Sequence, residues 1–539
     1  MKKTLSLLLA ALMLIGVFAP TIPIAAVAQT AADPFEGYSE WDGVTFDTTP
    51  FDDITADNGG ADVTGDPVII DTAAKLAGLA KIVNEKAVMG SYGAYKNLPI
   101  YITKNINLNG HEFPSIGKDY SVAMFAGHLE GRLDGVEGKA VTIANAYVPG
   151  PSANNTGFIG NLRHGAVKNL TLVNAVVGNK NNAGGVGIIV GYASKNVELS
   201  GLTVIDSTLI VSKNGGTVSH GGVIGTIKSD NALNLKDIKA INVTLECPGT
   251  MQSIAGGVIG WLQGQSSKPD VVYALENCYF SGTFANATQN LDADGLIMDV
   301  YLGGIVGDIQ TAAKVSMKNC QFNGEIVSNL ASADRIGQFG AFVANIGAGG
   351  QLTLENCVNT GKISPNKDGN VAAIGSVGAV ALDLTVTNCY SVAENTATIG
   401  VNECTTLTDI PTVNVVTAEA ITGDAAKTAF AGFDFTNAWK ANEGALPCLK
   451  TVEDEDWTDL STIGVVVDPP VVNPPAGGGT QETTTTKKED TTTKAPDTTT
   501  KKDDEPAAKK GCFGVISSTA MVALLTLGLG AAVIRKKED

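Results

Sequence analysis

The sequence predicts an all-β fold in which a parallel β-helix winds as a solenoid. Three observations support this: a strand pattern that repeats eight times, glycine-bracketed apolar elements ahead of most copies, and a third short strand after three copies. The repeated pattern is apolar-x-apolar-x-Asn/Asp followed by a small residue. Its polar positions are Asn145, Asn174, Asp206, Asn242, Asn277, Asn319, Asn356 and Asn388.

The spacing of these copies indicates stacked coils. Successive polar positions are 29, 32, 36, 35, 42, 37 and 32 residues apart, a period typical of solenoids that bury apolar faces by stacking. Within each copy the apolar residues alternate with period two, which indicates strands, because helical repeats would show a spacing near 3.6. The solenoid is therefore built from strands.

The flanking elements suggest two or three strands per coil. A glycine-bracketed apolar element reads as a short buried strand between tight turns, and a third strand begins after Gly282, Gly324 and Gly361, each four residues past a cysteine. We expect right-handed winding from the general handedness of parallel connections. The bracketed elements are 157–160, 187–191, 222–225, 257–260 and 304–307.

Stacking places equivalent residues about 4.8 Å apart, so the repeated asparagines are expected to form one hydrogen-bonded ladder. Four copies place a cysteine after the asparagine, at Cys278, Cys320, Cys357 and Cys389. These cysteines are predicted to be buried thiols, since cysteine packs well in apolar surroundings. A disulfide between Cys404 and Cys448 stays open, and Cys247 has no evident partner.

The segment before the repeats contains a predicted capping helix. Asp71 is expected to cap it, and its apolar stripe consists of Leu76, Leu79, Ala80 and Val83. Strands are predicted at 68–70 and 100–102, on either side of the helix. A helix with one apolar face would cover the first coil, whose open edge would otherwise pair with other chains.

The two chain ends indicate export and membrane anchoring. A basic start and an apolar run predict a secretory signal peptide. Near the other end, 22 uncharged residues from Phe513 to Ile534 predict a transmembrane helix, and the basic residues behind it place the tail in the cytoplasm. The Thr-, Pro- and Lys-rich stretch before it predicts a disordered stalk.

These features predict a cell-surface protein whose solenoid is extracellular. The expected organisation is 1–28 signal peptide, 29–118 N-terminal and capping region, 119–405 β-helix repeats, 406–458 closing segment, 459–511 stalk, 512–534 transmembrane helix and 535–539 cytoplasmic tail.

Several of these segments resemble known families. The entry segments 41–43, 65–77, 105–108 and 125–135, together with the Gly-Gly-Val-Ile-Gly elements, are similar to bacterial surface β-helix proteins with GLUG-type repeats. The tail resembles the membrane anchors of Gram-positive surface proteins, without the Leu-Pro-x-Thr-Gly motif of sortase substrates. Cys512 at the membrane edge is either an incidental interfacial cysteine, which we favour, or a processing or acylation site.

This resemblance implies adhesin-like surface proteins or accessory regions of immunoglobulin A metallopeptidases. The peptidase chemistry needs a His-Glu-x-x-His motif, which the sequence lacks. The four histidines, His111, His128, His164 and His220, are far apart in sequence and are expected in loops or on the surface.

The leading hypothesis is a non-enzymatic surface module that binds glycan or protein ligands. No catalytic residue, cofactor site or metal site is assigned. A carbohydrate-active β-helix enzyme is the alternative, but it needs paired carboxylates and Asp206 is a single one. A structural surface rod is a further alternative. Nucleic acid is excluded as a partner by the net charge of −18.

Two places deserve a test as ligand sites. The 42-residue interval after Asn277 contains Asp292 and Asp294, which could bind calcium or form a solvated acidic turn. Aromatic residues recur after the cysteines and belong either to an outer binding face or to the core. They are Tyr279, Phe280, Phe322 and Tyr390.

Overall fold

The computed structural model describes residues 34–450, with gaps at 57–60, 86–92, 151–154, 179–183, 212–217, 250–252, 266, 290–299, 311, 329–336, 366–369, 378–382, 393–412, 417–427, 431 and 442–445. This part of the chain is mostly parallel β-sheet, wound as a β-solenoid. The coils stack in two sheets of 23 and 11 strands, and a separate two-stranded sheet lies near the end. The prediction of a solenoid of stacked parallel strands is confirmed.

The larger sheet consists of three rows of stacked strands, and we number all strands in chain order. Row 1 contains β2 (Val68–Ile70), β3 (Pro99–Ile102), β5 (His128–Gly131), β9 (Ala166–Val173), β13 (Glu198–Ile205), β17 (Leu233–Gly249), β20 (Val272–Glu276), β24 (Lys314–Lys318), β28 (Gln351–Glu355) and β32 (Asp383–Thr387).

Row 2 follows row 1 along each coil, and β9, β13 and β17 are long enough to belong to both. Its other strands are β1 (Ser39–Glu40), β4 (Ile106–Asn107), β6 (Val141–Ala144), β21 (Tyr279–Gln289), β25 (Gln321–Phe322), β29 (Val358–Asn359), β33 (Tyr390–Ser391) and β34 (Asn414–Val415).

Row 3 completes the larger sheet and includes the later parts of β17 and β21. Its other strands are β7 (Tyr147–Val148), β10 (Val176–Val177), β14 (Thr208–Ile210), β26 (Glu325–Ser328) and β30 (Lys362–Pro365). The strands that start after Gly324 and Gly361 confirm the predicted third strand.

The smaller sheet has two rows. Row 4 contains β11 (Gly184–Gly187), β15 (Val218–Gly221), β18 (Ser253–Gly256), β22 (Val300–Gly303) and the first parts of β27 (Gln338–Ile346) and β31 (Asn370–Val377). Row 5 contains β8 (Ile159–Arg163), β12 (Val190–Lys195), β16 (Ile224–Ser229), β19 (Ile259–Leu262), β23 (Val306–Ile309) and the second parts of β27 and β31.

The glycine-bracketed elements are corners, which corrects the prediction that each is one buried strand. Gly187 ends β11 and Val190 begins β12, so the element at 187–191 joins row 4 to row 5. A complete coil therefore passes through five strand positions, more than the predicted two or three. The apolar residues at these corners face the core, which made them resemble an uninterrupted buried strand.

The asparagine repeats form two series, which corrects the prediction of a single ladder. Asn145, Asn174, Asp206 and Asn242 follow row 2, and Asn174 Nδ2 donates to Asn145 Oδ1 over 2.6 Å. Asn277 instead follows row 1, where its side chain donates to Asp237 Oδ1 over 2.9 Å.

The second series lies at the corner between rows 1 and 2. It continues through Asn319, whose amide donates to Asn277 Oδ1 over 3.3 Å. The corner residues of both series have φ between 47° and 56°, a left-handed conformation that Asn and Asp tolerate better than other side chains. The same residue type thus occupies two different corners of the solenoid. The sequence pattern alone does not show which corner a given asparagine occupies.

The four repeat cysteines are buried thiols, as predicted. Cys278 pairs in register with the position of Ile238, so the column of cysteines continues a column of aliphatic residues from earlier coils. Each is at most 1% exposed and none forms a disulfide. Burial raises the pKa of Cys320 and Cys357 well above the usual thiol value, which keeps both protonated.

The helix α1 (Ala73–Glu85) packs against β2 and the 3₁₀-helix Thr49–Phe51 at the N-terminal end of the core. Its predicted stripe, Leu76, Leu79, Ala80 and Val83, is fully buried. The expected cap was wrong by one residue: Thr72 Oγ1 accepts the Lys75 N–H over 3.3 Å, whereas Asp71 pairs with the Lys75 ammonium. A second 3₁₀-helix covers Leu133–Gly135.

The closing segment, which we define as the described residues between 428 and 450, packs on the outer side of row 2. Its strands β35 (Trp439–Lys440) and β36 (Cys448–Leu449) pair antiparallel. Trp439 Nε1 donates to Asn319 Oδ1 over 3.0 Å, and the Leu449 N–H donates to Gln321 Oε1 over 3.1 Å. The segment therefore clamps the coils that contain the second asparagine series.

No helix among the described residues is long and apolar enough to cross a membrane. The predicted signal peptide, stalk, transmembrane helix and cytoplasmic tail lie outside these residues, as does Cys512.

Candidate ligand-binding groove

Rows 4 and 5 meet at a sharp outer corner that runs along the solenoid. Ser219 Oγ and Thr226 Oγ1 lie 2.5 Å apart across this corner, in one coil. A Cβ atom added to Gly185 would lie 2.8 Å from Thr226 Oγ1 and 2.5 Å from the carbonyl of Gly191, so glycine is needed for this approach. The outward residues of the two rows therefore face each other.

Ser219 and Thr226 are seven positions apart in the sequence. Each of the next three coils has two facing residues with the same spacing. In row 4, Ser219 is followed in register by Ile254, Tyr301 and Gln338. In row 5, the residues that follow Thr226 are Trp261, Asp308 and Asn345. We call these six residues the corner groove.

The corner groove has a buried floor and a partly exposed rim. Ile254, Asp308 and Gln338 are 2%, 7% and 6% exposed, whereas Trp261, Tyr301 and Asn345 are half-buried. A concave strip with aromatic residues and a few polar groups is the usual composition of a small-molecule or carbohydrate site.

Asp308 is the chemically unusual residue of the groove. It accepts a 2.7 Å hydrogen bond from Asn345 Nδ2. Burial raises the pKa of Asp308 to about 7, although Asn345 and the nearby Trp261 indole oppose the rise. The carboxyl group is therefore about half protonated at neutral pH and largely protonated below it, and in the protonated form it can donate a hydrogen bond as well as accept one.

Two further polar atoms in the groove lack hydrogen-bond partners within the described residues. They are the Gln338 Oε1 acceptor and the Trp261 Nε1 donor, although the Trp261 indole lies close enough to Asp308 to lower the pKa of its carboxyl group. Buried polar atoms in folded proteins nearly always have partners, so these two positions fit an ordered water or a ligand.

A two-carboxylate mechanism has no support on this sheet. Asp308 is the only acidic residue in its eleven strands, whereas glycoside hydrolysis commonly uses two carboxyl groups. Asp206, the carboxylate singled out in the sequence, lies elsewhere, at the corner after row 2, and accepts a 2.6 Å hydrogen bond from Asn242 Nδ2. In the part of the chain that the structure describes, no three His, Cys, Asp or Glu residues could hold a metal ion together.

The aromatic residues after the cysteines do not form an exposed binding face. Phe280 and Phe322 stack in the core with ring centroids 6.1 Å apart. Tyr279 and Tyr390 point outward but pack against the closing segment, where Tyr390 contacts Phe430 at 4.6 Å between ring centroids. The phenylalanines therefore belong to the core. The tyrosines belong to an outer face, but the closing segment covers it.

One histidine differs from expectation. His220 is buried in row 4, at the register position of Val186, Ala255 and Leu302, and burial lowers its pKa to about 3. It was expected in a loop or on the surface. The sequence did not indicate that His220 faces the core, because its neighbours in the strand are serine and glycine and show no alternation of apolar and polar residues.

The remaining histidines are less buried. His111 and His164 lie outside the helices and strands, and His128 is half-buried in β5, where its Nε2 lies 3.1 Å from Asn97 Oδ1. The candidate calcium loop with Asp292 and Asp294 and the residue Cys404 lie outside the described residues. Cys448 is half-buried in β36.

Comparisons with known proteins identify no family. No protein-family model matches the chain, and no curated protein matches its sequence. A similar solved structure is described as "Crystal structure of a putative immunoglobulin A1 protease from Bacteroides ovatus". That chain is 18% identical, with 71% of this chain and 92% of that chain covered and a TM-score of 0.40.

The groove residues were not predicted from the sequence. A usable signal exists, because Trp261 and Asp308 each come directly after the last glycine of a glycine-bracketed element, as do Tyr192 and Thr226. Once the element is known to be a corner, the residue after it belongs to the outer face of row 5.

Proposed function

We propose that this protein is a non-enzymatic, surface-displayed β-solenoid that binds an external ligand in the corner groove. The observation that carries the proposal is the groove itself, where the half-buried Trp261 and Tyr301 border a buried acid and an unpartnered amide oxygen. Aromatic rings beside a few fixed polar groups suit glycans first, with a protein segment as the alternative.

Display at the cell surface is part of the same proposal. The signal peptide at 1–28, the stalk at 459–511 and the helix at 512–534 would place the solenoid outside the cell on a membrane anchor, with right-handed coils capped by α1. The outer surface of row 1 supports a soluble exterior, because ion pairs link neighbouring coils there. Lys318, for example, pairs with Glu355 over 3.1 Å.

A carbohydrate-active enzyme remains the second candidate because Asp308 has the raised pKa of a general acid. The full-length protein should be tested on arrays of plant, mucin and cell-wall glycans, with reducing ends and unsaturated products measured in the same wells. Saturable binding without products supports the binding module. Product release that is lost in D308N would establish the enzyme instead, and silence on every glycan would refute a glycan-binding groove.

The alanine variant W261A should abolish saturable binding. Y101A is its matched control, because Tyr101 is a half-buried aromatic on the outer side of row 1, where it packs under Arg132. Equal loss of binding in both variants would mean that the groove is not the binding site.

A further inference from the structure

We infer that the corner groove takes an uncharged oligosaccharide that lies along the solenoid axis and spans at least two sugar rings. This inference rests on the proposed binding function and specifies its ligand. It depends on three features of the groove: the spacing of its unpartnered atoms, its lack of basic residues and the position of its aromatic rings.

The first feature is the separation of the two unpartnered atoms. Trp261 and Gln338 belong to coils that are two steps apart, with Asp308 in the coil between them. Two steps correspond to about 10 Å along the axis. This distance exceeds the width of one pyranose ring, so a single sugar would leave one of the two atoms without a partner.

The chemistry of the three polar groups is also complementary to hydroxyl groups. Trp261 Nε1 is a donor, Gln338 Oε1 is an acceptor, and the Asp308 carboxyl group between them can serve as either when protonated. A hydroxyl group donates one hydrogen bond and accepts others, so a chain of hydroxyl-bearing rings can satisfy all three. An apolar ligand would leave these groups unpaired, at a large loss of affinity.

The second feature is charge. The strands that carry the groove from Ile254 to Asn345 are β18, β19, β22, β23 and β27, and they contain no Lys or Arg. A uronate, sulfate or sialate would enter next to Asp308 without a cation to compensate its desolvation. The groove therefore favours uncharged sugars over acidic ones.

The third feature is the aromatic rim. The half-buried rings of Trp261 and Tyr301 lie in neighbouring coils, one in each row. Pyranose rings present C–H faces that pack on aromatic rings while their hydroxyl groups stay in the ring plane. A sugar chain along the groove can thus contact the rim rings and the floor groups together.

The experiment is calorimetric titration of the full-length protein with the neutral glycan series that gives the strongest array signal, from one to six sugars. Affinity should rise at least tenfold, or about 1.4 kcal/mol, between one and two or three sugars and then level off. The acidic counterparts of the same series should bind at least tenfold more weakly. Equal or tighter binding of acidic sugars would overturn this inference while the proposed function stands.

Conservative variants test the individual contacts. W261F keeps an aromatic ring, although a smaller one, and removes the N–H, and Q338M keeps the side-chain length and removes the acceptor. Each should weaken binding of the di- or trisaccharide about tenfold and leave binding of a monosaccharide less affected. Y101F, with a similar loss of a polar atom outside the groove, should bind as the original protein does.

Circular dichroism and thermal unfolding will show that each variant is folded. Unchanged affinity in both W261F and Q338M would overturn the inference even if neutral glycans bind. Binding only to proteins would overturn it as well and leave the alternative ligand class of the proposed function. A folded protein that binds no glycan and no protein partner would refute both proposals.

Discussion

Replacement of Asp308 by asparagine should change how the stability of the solenoid depends on pH. Asp308 is 7% exposed, and burial raises its pKa from 3.8 to about 7. The folded state therefore holds the proton more tightly than the unfolded state between about pH 4 and pH 7. The stability that this proton confers is fully present below pH 3.8 and is lost as the pH rises through 7.

The size of the effect follows from the shift. A difference of about 3 pKa units, at about 1.36 kcal/mol per unit, corresponds to about 4 kcal/mol of unfolding free energy. D308N keeps the side-chain shape and can still accept the hydrogen bond from Asn345, but it does not ionise. Relative to the original protein, D308N should therefore gain about 4 kcal/mol of stability between pH 4 and pH 8.

Urea unfolding of both proteins at intervals from pH 4 to pH 8 measures this gain. D230N is the matched control, because it makes the same change at a carboxylate with the opposite shift. Burial alone would raise the pKa of Asp230, but hydrogen bonds from Gln265, Lys195 and Lys268 lower it to about 2. D230N should show no such gain over this pH range. A stability difference between D308N and the original protein that does not vary with pH would refute the reasoning.

Three further predictions concern the core and the clamp. H220L should unfold at a higher temperature than the original protein at pH 4.5, with a smaller difference at pH 7.5, because the lowered pKa of His220 makes the original fold lose stability as the pH falls from 6.5 towards 3. C320S should lose about 1 to 3 kcal/mol in urea unfolding by placing a hydroxyl in the apolar column, whereas C320V should be nearly neutral because Ile238 occupies an earlier position of that column. W439A should lose about 3 to 5 kcal/mol and increase amide exchange in β25 and β29, since Trp439 is fully buried against this row.

The strands and their stacking could be predicted because alternation and repeat length each have a direct structural meaning. The corners could not be assigned, because Asn242 and Asn277 have the same sequence context and the same left-handed backbone but lie at different corners. The register between coils decides which corner an asparagine occupies. That register depends on a bulge between Ala240 and Val243, which the sequence pattern does not mark.

The candidate site was missed for a related physical reason. Each coil contributes one pair of its residues, successive pairs are separated by 47 and 37 positions in the sequence, and the pairs come together only through the register of rows 4 and 5. Trp261 and Asp308 also follow glycines that looked like strand ends. A residue after a strand end is expected in a turn, whereas a residue after a corner starts the next strand and faces the groove.

The clamp and the corner groove belong to the same coils, so we expect stability to be coupled to the proposed binding. The closing segment packs on row 2 at Val358 and at Tyr279, in the coils whose rows 4 and 5 carry Trp261, Asp308 and Asn345. In an earlier coil the corner is closed by the direct contact of Ser219 with Thr226, so no ligand can enter there. The coils of the proposed ligand groove are thus the ones that the closing segment contacts. W439A should therefore weaken glycan binding although Trp439 lies on another face, and unchanged affinity at a lower stability would show that the groove is rigid without the clamp.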